Sequence, residues 1–251
     1  MRFNFCCNFL VDSANSVISH FDLNYNNLVS SIFLLNPNIN NQIKLRMTKE
    51  EKSQVQLTSV QKEILVGTML GDAFIERSKP THNARVRFDQ SFPNHASYLM
   101  KIYSYFYNLT GKGPTVIIRK PDKRTGKVYY QMQLKTLAFP CLNYYHNLFY
   151  KDGKKIIPKI IGELLTARSL AYWIKDDGGK SSSNQTILHT RSYTFEEVIL
   201  LQKVLKNNFK LHSLVYDKTI GQWIIVIPVK QKIPLREIVL PYMHPSMLHK
   251  V

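Results

Sequence analysis

The chain has 251 residues, 44% of them hydrophobic, which is enough for one large core or two of about 100 to 125 residues without disulfides or structural metals. Its longest early apolar stretch, Leu28 to Leu35, carries Ser30 and Ser31 and falls well short of the roughly 18 uninterrupted apolar residues of a membrane span, so no membrane role is expected. Lys and Arg number 34 against 17 Asp and Glu, a net charge of +17 that suits a polyanionic partner but is also met in merely solubilising surfaces.

Only Arg2, Lys44 and Arg46 on the basic side, and Asp12 and Asp22 on the acidic side, precede Met47, so the excess belongs to the segment that follows. Asn4, Asn8 and Asp12 interrupt any hydrophobic signal core, and the Arg-rich, acid-poor pattern of a transit peptide is missing. Cys6, Cys7 and Cys141 form neither an even framework nor a metal-ligand spacing, as in proteins of reducing compartments. Residues 1–52 show no sustained period and are expected to form an arm, flexible or processed. Asn, Ile, Lys and Tyr are abundant, a bias that AT-rich organellar genomes produce, so encoding in a mitochondrion or another organelle is expected.

A helix signal opens at Thr58, with Gln61 three residues on to complete a capping box, and runs through Ile64, Leu65, Val66, Met69 and Leu70 to end near Asp72. The alternation from Arg85 to Gln90 predicts a half-buried strand, with Arg85, Arg87 and Asp89 on one face and Val86 and Phe88 on the other. Leu99, Ile102, Tyr103 and Phe106 recur at helical spacing between Asn94 and Asn108, before Thr110-Gly111 breaks the period. Two strands follow, joined by a turn over Asp122 to Gly126. In the second, Val128, Tyr130, Met132 and Leu134 should face the core and Lys127, Tyr129, Gln131, Gln133 and Lys135 the other side.

The pattern then restarts. A capped helix spans Thr166 to Asp177, a strand covers Gln185 to Ser192, and Thr194 with Glu197 opens another helix. A hairpin pairing Ser213 to Tyr216 with Gln222 to Ile227 precedes Leu235 to Leu240 and a Pro-punctuated tail. Two copies of about 100 residues are too few and too long for a solenoid and predict a pseudo-dimer within one chain. The expected boundaries are 53–152 and 153–251.

Leu65-Val-Gly-Thr-Met-Leu-Gly-Asp-Ala73 and Leu170-Ala-Tyr-Trp-Ile-Lys-Asp-Asp-Gly178 occupy equivalent places, each with an Asp at its eighth position. These segments resemble the signature of the LAGLIDADG homing endonucleases, double-motif type. Leu70-Gly-Asp-Ala-Phe-Ile75, Asp176-Asp-Gly-Gly-Lys180 and Ser192-Tyr-Thr-Phe-Glu-Glu-Val198 add to the likeness, which is closest to the mitochondrial omega-intron type and covers residues 56 to 251. It implies an α+β monomer of two pseudo-symmetric αββαββα halves, with antiparallel sheets forming a DNA-binding saddle and the two motif helices at the interface. Small residues one turn apart, Gly67 and Gly71, would let those helices approach closely and bring two carboxylates to one place. Departures from the signature are Gly71 and Ala73 in the first motif and Tyr172 in the second, which makes the helix packing unequal.

By this resemblance Asp72 and Asp177 are the metal ligands and catalytic carboxylates, with Asp176 the rival in the adjacent pair and the backbone carbonyls of Gly71 or Asp176 as further donors. Mutually repelling carboxylates that meet phosphate suit Mg²⁺, with Mn²⁺ as a substitute, in a site completed by substrate oxygens. The resemblance also singles out Lys155, against its neighbour Lys154, and Lys250, as catalytic lysines near the scissile phosphates. Strand-face candidates for DNA contact are Arg85, Arg87, Arg119, Lys127, Gln131, Gln133 and Lys135 in the first half, and Lys180, Gln185, His189, Arg191, Lys218 and Gln222 in the second, with each equally readable as a solvated strand face. His189 is also readable as a core histidine. The implied activity is metal-dependent hydrolysis of both strands of a long duplex site, leaving short 3′ overhangs and promoting intron mobility. The alternatives are an intron RNA maturase of the same fold and a non-catalytic DNA-binding protein. Two retained carboxylates favour the nuclease over both.

Overall fold

The computed structural model describes residues 47–251. The expected arm therefore lies outside the described residues up to position 46, and its last part contains a short capped helix, α1 (Lys49–Gln54).

The first repeat runs α2 (Ser59–Leu70), β1 (Phe74–Glu76), β2 (Arg85–Phe92), α3 (Ala96–Phe106), β3 (Thr115–Ile118), β4 (Tyr130–Lys135), α4 (Pro140–Phe149). A two-stranded link follows, β5 (Tyr150–Lys151) with β6 (Lys154–Lys155), and then a single turn, α5 (Ile161–Leu164). The second repeat is α6 (Ala167–Asp177), β7 (Gly178–Lys180), β8 (Thr186–Leu188), α7 (Phe195–Phe209), β9 (Leu214–Asp217), β10 (Trp223–Ile227), α8 (Lys232–Val239). Each repeat is thus αββαββα. Each sheet is antiparallel with the same strand order, β1-β2-β4-β3 and β7-β8-β10-β9.

Local chemistry sets the helix starts. Thr58 and Thr194 accept from the backbone N–H three residues on, while Gln61 and Glu197 reach back to the cap, as the sequence predicted. Gly126, at φ 68°, closes the β3–β4 hairpin after Asp122 has accepted from the N–H groups of Arg124 and Thr125. On β2, Val86 and Phe88 are buried while Arg85, Arg87 and Asp89 share the other face. Met132 and Leu134 on β4 are fully buried.

Val128 and Tyr130 depart from the expected alternation and are 44% and 38% exposed. Tyr130 ends the ladder opposite Ile118, itself 62% exposed, so here the hairpin runs out past the layer that buries Met132. Strand β8 is also shorter than the expected Gln185–Ser192. Among the described residues no helix is long and apolar enough to cross a membrane.

The two repeats meet through α2 and α6, at whose crossing backbone nearly touches backbone. A Cβ built on Gly67 would stand 2.2 Å from the Ser169 carbonyl oxygen and 2.7 Å from Tyr172 Cβ, and one on Gly71 would stand 2.4 Å from Asp176 Cβ. The third motif positions therefore face each other, as do the seventh, each pairing a glycine on α2 with a larger residue on α6. Ser169 Oγ donates to the Glu63 carbonyl at 2.8 Å and Arg168 pairs with Glu63 at 2.7 Å, fixing the opposite end of the crossing.

Candidate catalytic centre and nucleic-acid interface

Because α2 and α6 converge at their C-terminal ends, Asp72 and Asp177 emerge side by side. Asp72 opens onto a cleft of about 840 Å³ over the first sheet, lined by Arg87, Asp89, Gln90, His95, Arg119 and Gln131 among others. Asp177 is half-buried. The flanking Asp176 turns to the helix crossing instead, where its Oδ1 accepts from Tyr98 Oη at 2.9 Å and from Gln90 Nε2 at 3.2 Å.

Two lysines bracket these carboxylates. Lys155 Nζ donates to the carbonyls of Gly71 and Ala73, both at 2.8 Å, and Lys250 Nζ donates to the carbonyls of Lys175 and, at 3.1 Å, Asp176. Each lysine thus sits at one helix end, with its ammonium drawn to the negative pole of the backbone dipoles. Lys154, the neighbour weighed against Lys155, is exposed on β6. The carbonyls of Gly71 and Asp176, expected as extra metal donors, already accept from these ammoniums.

The electrostatics are those of crowded like charges. Burial, and after it the Asp72 carboxylate, pushes Asp176 up to about 8 and Asp177 up to about 7. Asp72 is raised by desolvation against the pull of Lys250 and Lys155. Lys155 is pushed down to about 8 by burial, although all three carboxylates oppose it. On the same helix Lys175, 2% exposed, packs its ammonium over the Tyr172 ring and donates to the Tyr242 carbonyl, and burial brings it down to about 7. Among the described residues no group of three or more His, Cys, Asp or Glu is placed to hold a metal. The available donors are hard carboxylate oxygens, which fit Mg²⁺ completed by water and phosphate and do not fit a closed zinc-type site.

The strand-face candidates divide by register. In the first sheet Arg87 stands opposite Lys135, Asp89 opposite Gln133 and Ser91 opposite Gln131, so these side chains share one face. Many of them are engaged with one another. Glu76 pairs with Arg85 and Arg87, Asp89 pairs with Arg87 and accepts from Gln133, and Arg119 donates to Gln131, which is only 8% exposed. Lys127 is exposed near the hairpin turn.

The second sheet differs. Taking Asp72 and Asp177 as equivalent, the pairings Phe74 with Arg87 and Gly179 with Ile187 make Arg87 and Ile187 counterparts. Ladder positions held by Gln133 and Lys135 are then held by Ile224 and Val226. Gln185 and His189 flank Ile187 on this face, Lys218 and Gln222 are exposed beyond it, and Arg191 is exposed after β8. Lys180 pairs with Thr186, which is buried, and so lies on the opposite face from Gln185 and His189. His189 is half-buried, its Nδ1 has no partner among the described residues, and its pKa is lowered by burial and by Arg191, Lys218 and Lys250.

Sequence reasoning passed over Gln90, His95 and Tyr98. One signal was available: alternation puts Gln90, 5% exposed, on the buried face of β2, where an amide needs partners.

The profile of the LAGLIDADG DNA endonuclease family matches residues 62–233. A probable intron-encoded endonuclease from Wickerhamomyces canadensis is 32% identical over 216 residues, 82% of this chain and 90% of that protein. A cytochrome b mRNA maturase, bI2, of Saccharomyces cerevisiae is 29% identical over 240 residues, 90% of this chain and 56% of that protein. Among solved structures, the homing endonuclease I-WcaI bound to its DNA recognition sequence superposes with a TM-score of 0.75 at 27% identity, covering 84% of this chain and 97% of that one. With two motifs, two like sheets and paired carboxylates at the helix crossing, the chain belongs to the LAGLIDADG DNA endonuclease family.

Proposed function

We propose that the protein is a site-specific endonuclease that hydrolyses both strands of a long duplex, with Mg²⁺ as its cofactor, Mn²⁺ able to replace it, and the intron carrying its gene as the beneficiary. The observation that carries this reading is the convergence of Asp72 and Asp177 at the abutting ends of α2 and α6, each with its own lysine anchored on that helix end. Gathering carboxylates that raise one another's pKa where phosphate must approach is electrostatically costly without a cation to bind.

In this reading Asp72 and Asp177 hold divalent metal, which supplies an acidified water and charge neutralisation at the leaving oxygen. Lys155 and Lys250 hold positive charge beside the scissile phosphates, where charge builds in the transition state. The Arg, Gln and Lys side chains of the first sheet and Gln185, His189, Arg191, Lys218 and Gln222 of the second contact base edges and backbone in the major groove, with Lys180 left out by its register. Residues 53–152 and 153–251 each serve one half-site within a monomer, and an organelle is the expected setting.

A second reading, an intron RNA maturase, is favoured by the yeast relative's name. One experiment separates them. Protein with and without Mg²⁺, alongside Asp72→Asn and Asp177→Asn, is incubated with a randomised duplex library and cut ends are sequenced. Metal-dependent double-strand breaks at one motif, absent in both variants, are expected. Tight DNA binding without cutting would refute the nuclease, and binding only to folded intron RNA would establish the maturase.

A further inference from the structure

Beside the paired aspartates a directed chain of hydrogen bonds runs from the helix crossing to the cleft. Asp176 Oδ1 accepts from Gln90 Nε2 at 3.2 Å, and Tyr98 Oη holds the same oxygen at 2.9 Å. Oδ1 is the acceptor of both bonds, whether or not the acid's proton sits on Oδ2, and an amide nitrogen only donates, so Asp176 sets the orientation of Gln90, whose Oε1 faces His95 Nδ1 at 3.0 Å. That oxygen only accepts, so Nδ1 carries the hydrogen. A neutral imidazole in this tautomer has its lone pair at Nε2. Burial, reinforced by the Lys250 ammonium, keeps His95 below its ordinary value and favours that neutral form, although Asp72 opposes it.

His95 is half-buried and lines the cleft together with Asp72 and Gln90. It stands at the start of α3 but its ring makes no capping bond there, being turned to Gln90 instead. A carboxylate that fixes an intermediary, which in turn fixes the tautomer of a base, is the arrangement by which enzymes orient general bases. The second repeat lacks this relay: its His189 lies beside Asp177, but its Nδ1 has no partner among the described residues. Register makes Thr190 the counterpart of Gln90, and its hydroxyl donates to the Trp223 carbonyl. Gly71 is the counterpart of Asp176, and α7 opens with Thr194 and Phe195.

We propose that His95 is a further catalytic residue acting on one DNA strand only, its Nε2 accepting a hydrogen bond from the water that attacks the scissile phosphate beside Asp72. This deepens the nuclease reading above and rests on it. The water oxygen forms its bond to phosphorus as the bond from phosphorus to the leaving sugar oxygen breaks. The water's proton passes to Nε2 and on to solvent, and the sugar oxygen leaves with a proton from solvent. Gln90, Asp176 and Tyr98 touch no substrate and are positioning residues for that imidazole.

The test uses a plasmid carrying the selected site, with each strand followed separately, and the full-length wild type, His95→Ala and His95→Gln. In both variants cleavage of one strand should fall about 10²-fold, in the range of general-base losses, so nicked plasmid accumulates while the other strand keeps its rate. Added imidazole should speed the slow strand in His95→Ala, a rescue that a structural defect would not show. Metal-free DNA binding by the variants serves as the check on folding, with His95→Gln retaining a donor to Gln90 if alanine disturbs the helix start. Equal slowing of both strands, or unchanged rates in a variant that binds DNA, overturns the role of His95 and leaves the nuclease reading intact. A wild type that binds the site and cuts neither strand with Mg²⁺ overturns both.

Discussion

Gly67→Ala is the perturbation with the clearest structural magnitude. The added Cβ would lie 2.2 Å from the Ser169 carbonyl oxygen, about 1.2 Å inside the 3.4 Å at which ordinary contact begins, and 2.7 Å from Tyr172 Cβ. Both obstacles are backbone or the first atom of a side chain, so no rotamer change relieves them and α2 and α6 must separate. Overpacking of this kind costs about 1–3 kcal/mol, and the rigid neighbours argue for the upper end. A loss of about 3 kcal/mol lowers Tm by roughly 6–12 °C in a domain of this size. Moving the helices apart also moves Asp72 from Asp177, and misplacement by about 1 Å is worth about 10²-fold in rate. Urea and thermal unfolding of wild type and variant, followed by cleavage of the selected site, would measure both effects. A Gly67→Ala protein within about 0.5 kcal/mol of wild type and equally active would refute the close crossing, since only ordinary surface substitutions are that mild.

Other outcomes follow from the centre. Lys155→Met and Lys250→Met each remove an ammonium from a helix end, and cleavage should fall by about 10²-fold with DNA affinity little changed; unchanged rates would remove the lysines from the mechanism. Asp176, at about 8, and Asp177, at about 7, are raised in the folded chain, so the metal-free fold holds protons that the unfolded chain releases. Its stability should therefore fall as pH rises from the unfolded carboxylate range through about 8, and Asp176→Asn should flatten that slope in urea melts with EDTA. Lys155, lowered to about 8, has the opposite sign above that pH. Freeing Arg85, and releasing Arg87 from one of its two carboxylates, by Glu76→Gln should strengthen DNA binding at low salt and steepen its salt dependence, whereas unchanged affinity in a salt titration would place that ion-paired cluster outside the interface.

The parts of this molecule legible in the sequence are those set by local chemistry. Thr58 with Gln61 and Thr194 with Glu197 announce helix starts, Gly67 and Gly71 announce a close crossing, and the restart at Thr166 announces the second repeat. Alternation placed Arg87 and Asp89 on one face correctly because Val86 and Phe88 have a core to enter. It misplaced Val128 and Tyr130 because no layer among the described residues covers the hairpin beyond Met132, and periodicity cannot say where the core ends. The family signature supplied Asp72 and Asp177. The chain through Gln90, His95 and Tyr98 joins one repeat to the other across 78 to 86 positions, a span that no local pattern reports.

The glycine-to-bulk pairing at the crossing has a consequence for how the molecule is assembled. Two copies of α2 laid against each other would face glycine with glycine and let the helices close to a shorter distance than α6 sets. Two copies of α6 would drive Tyr172 into Tyr172 and set one Asp176 carboxylate against another, without the room that Gly67 and Gly71 provide. The spacing that seats Tyr172 and Asp176 against glycine therefore belongs to the mixed pair alone, and α6 is a poor match for itself. The repeats are alike in topology but no longer interchangeable, and covalent tethering keeps the mixed pair together with its asymmetry preserved.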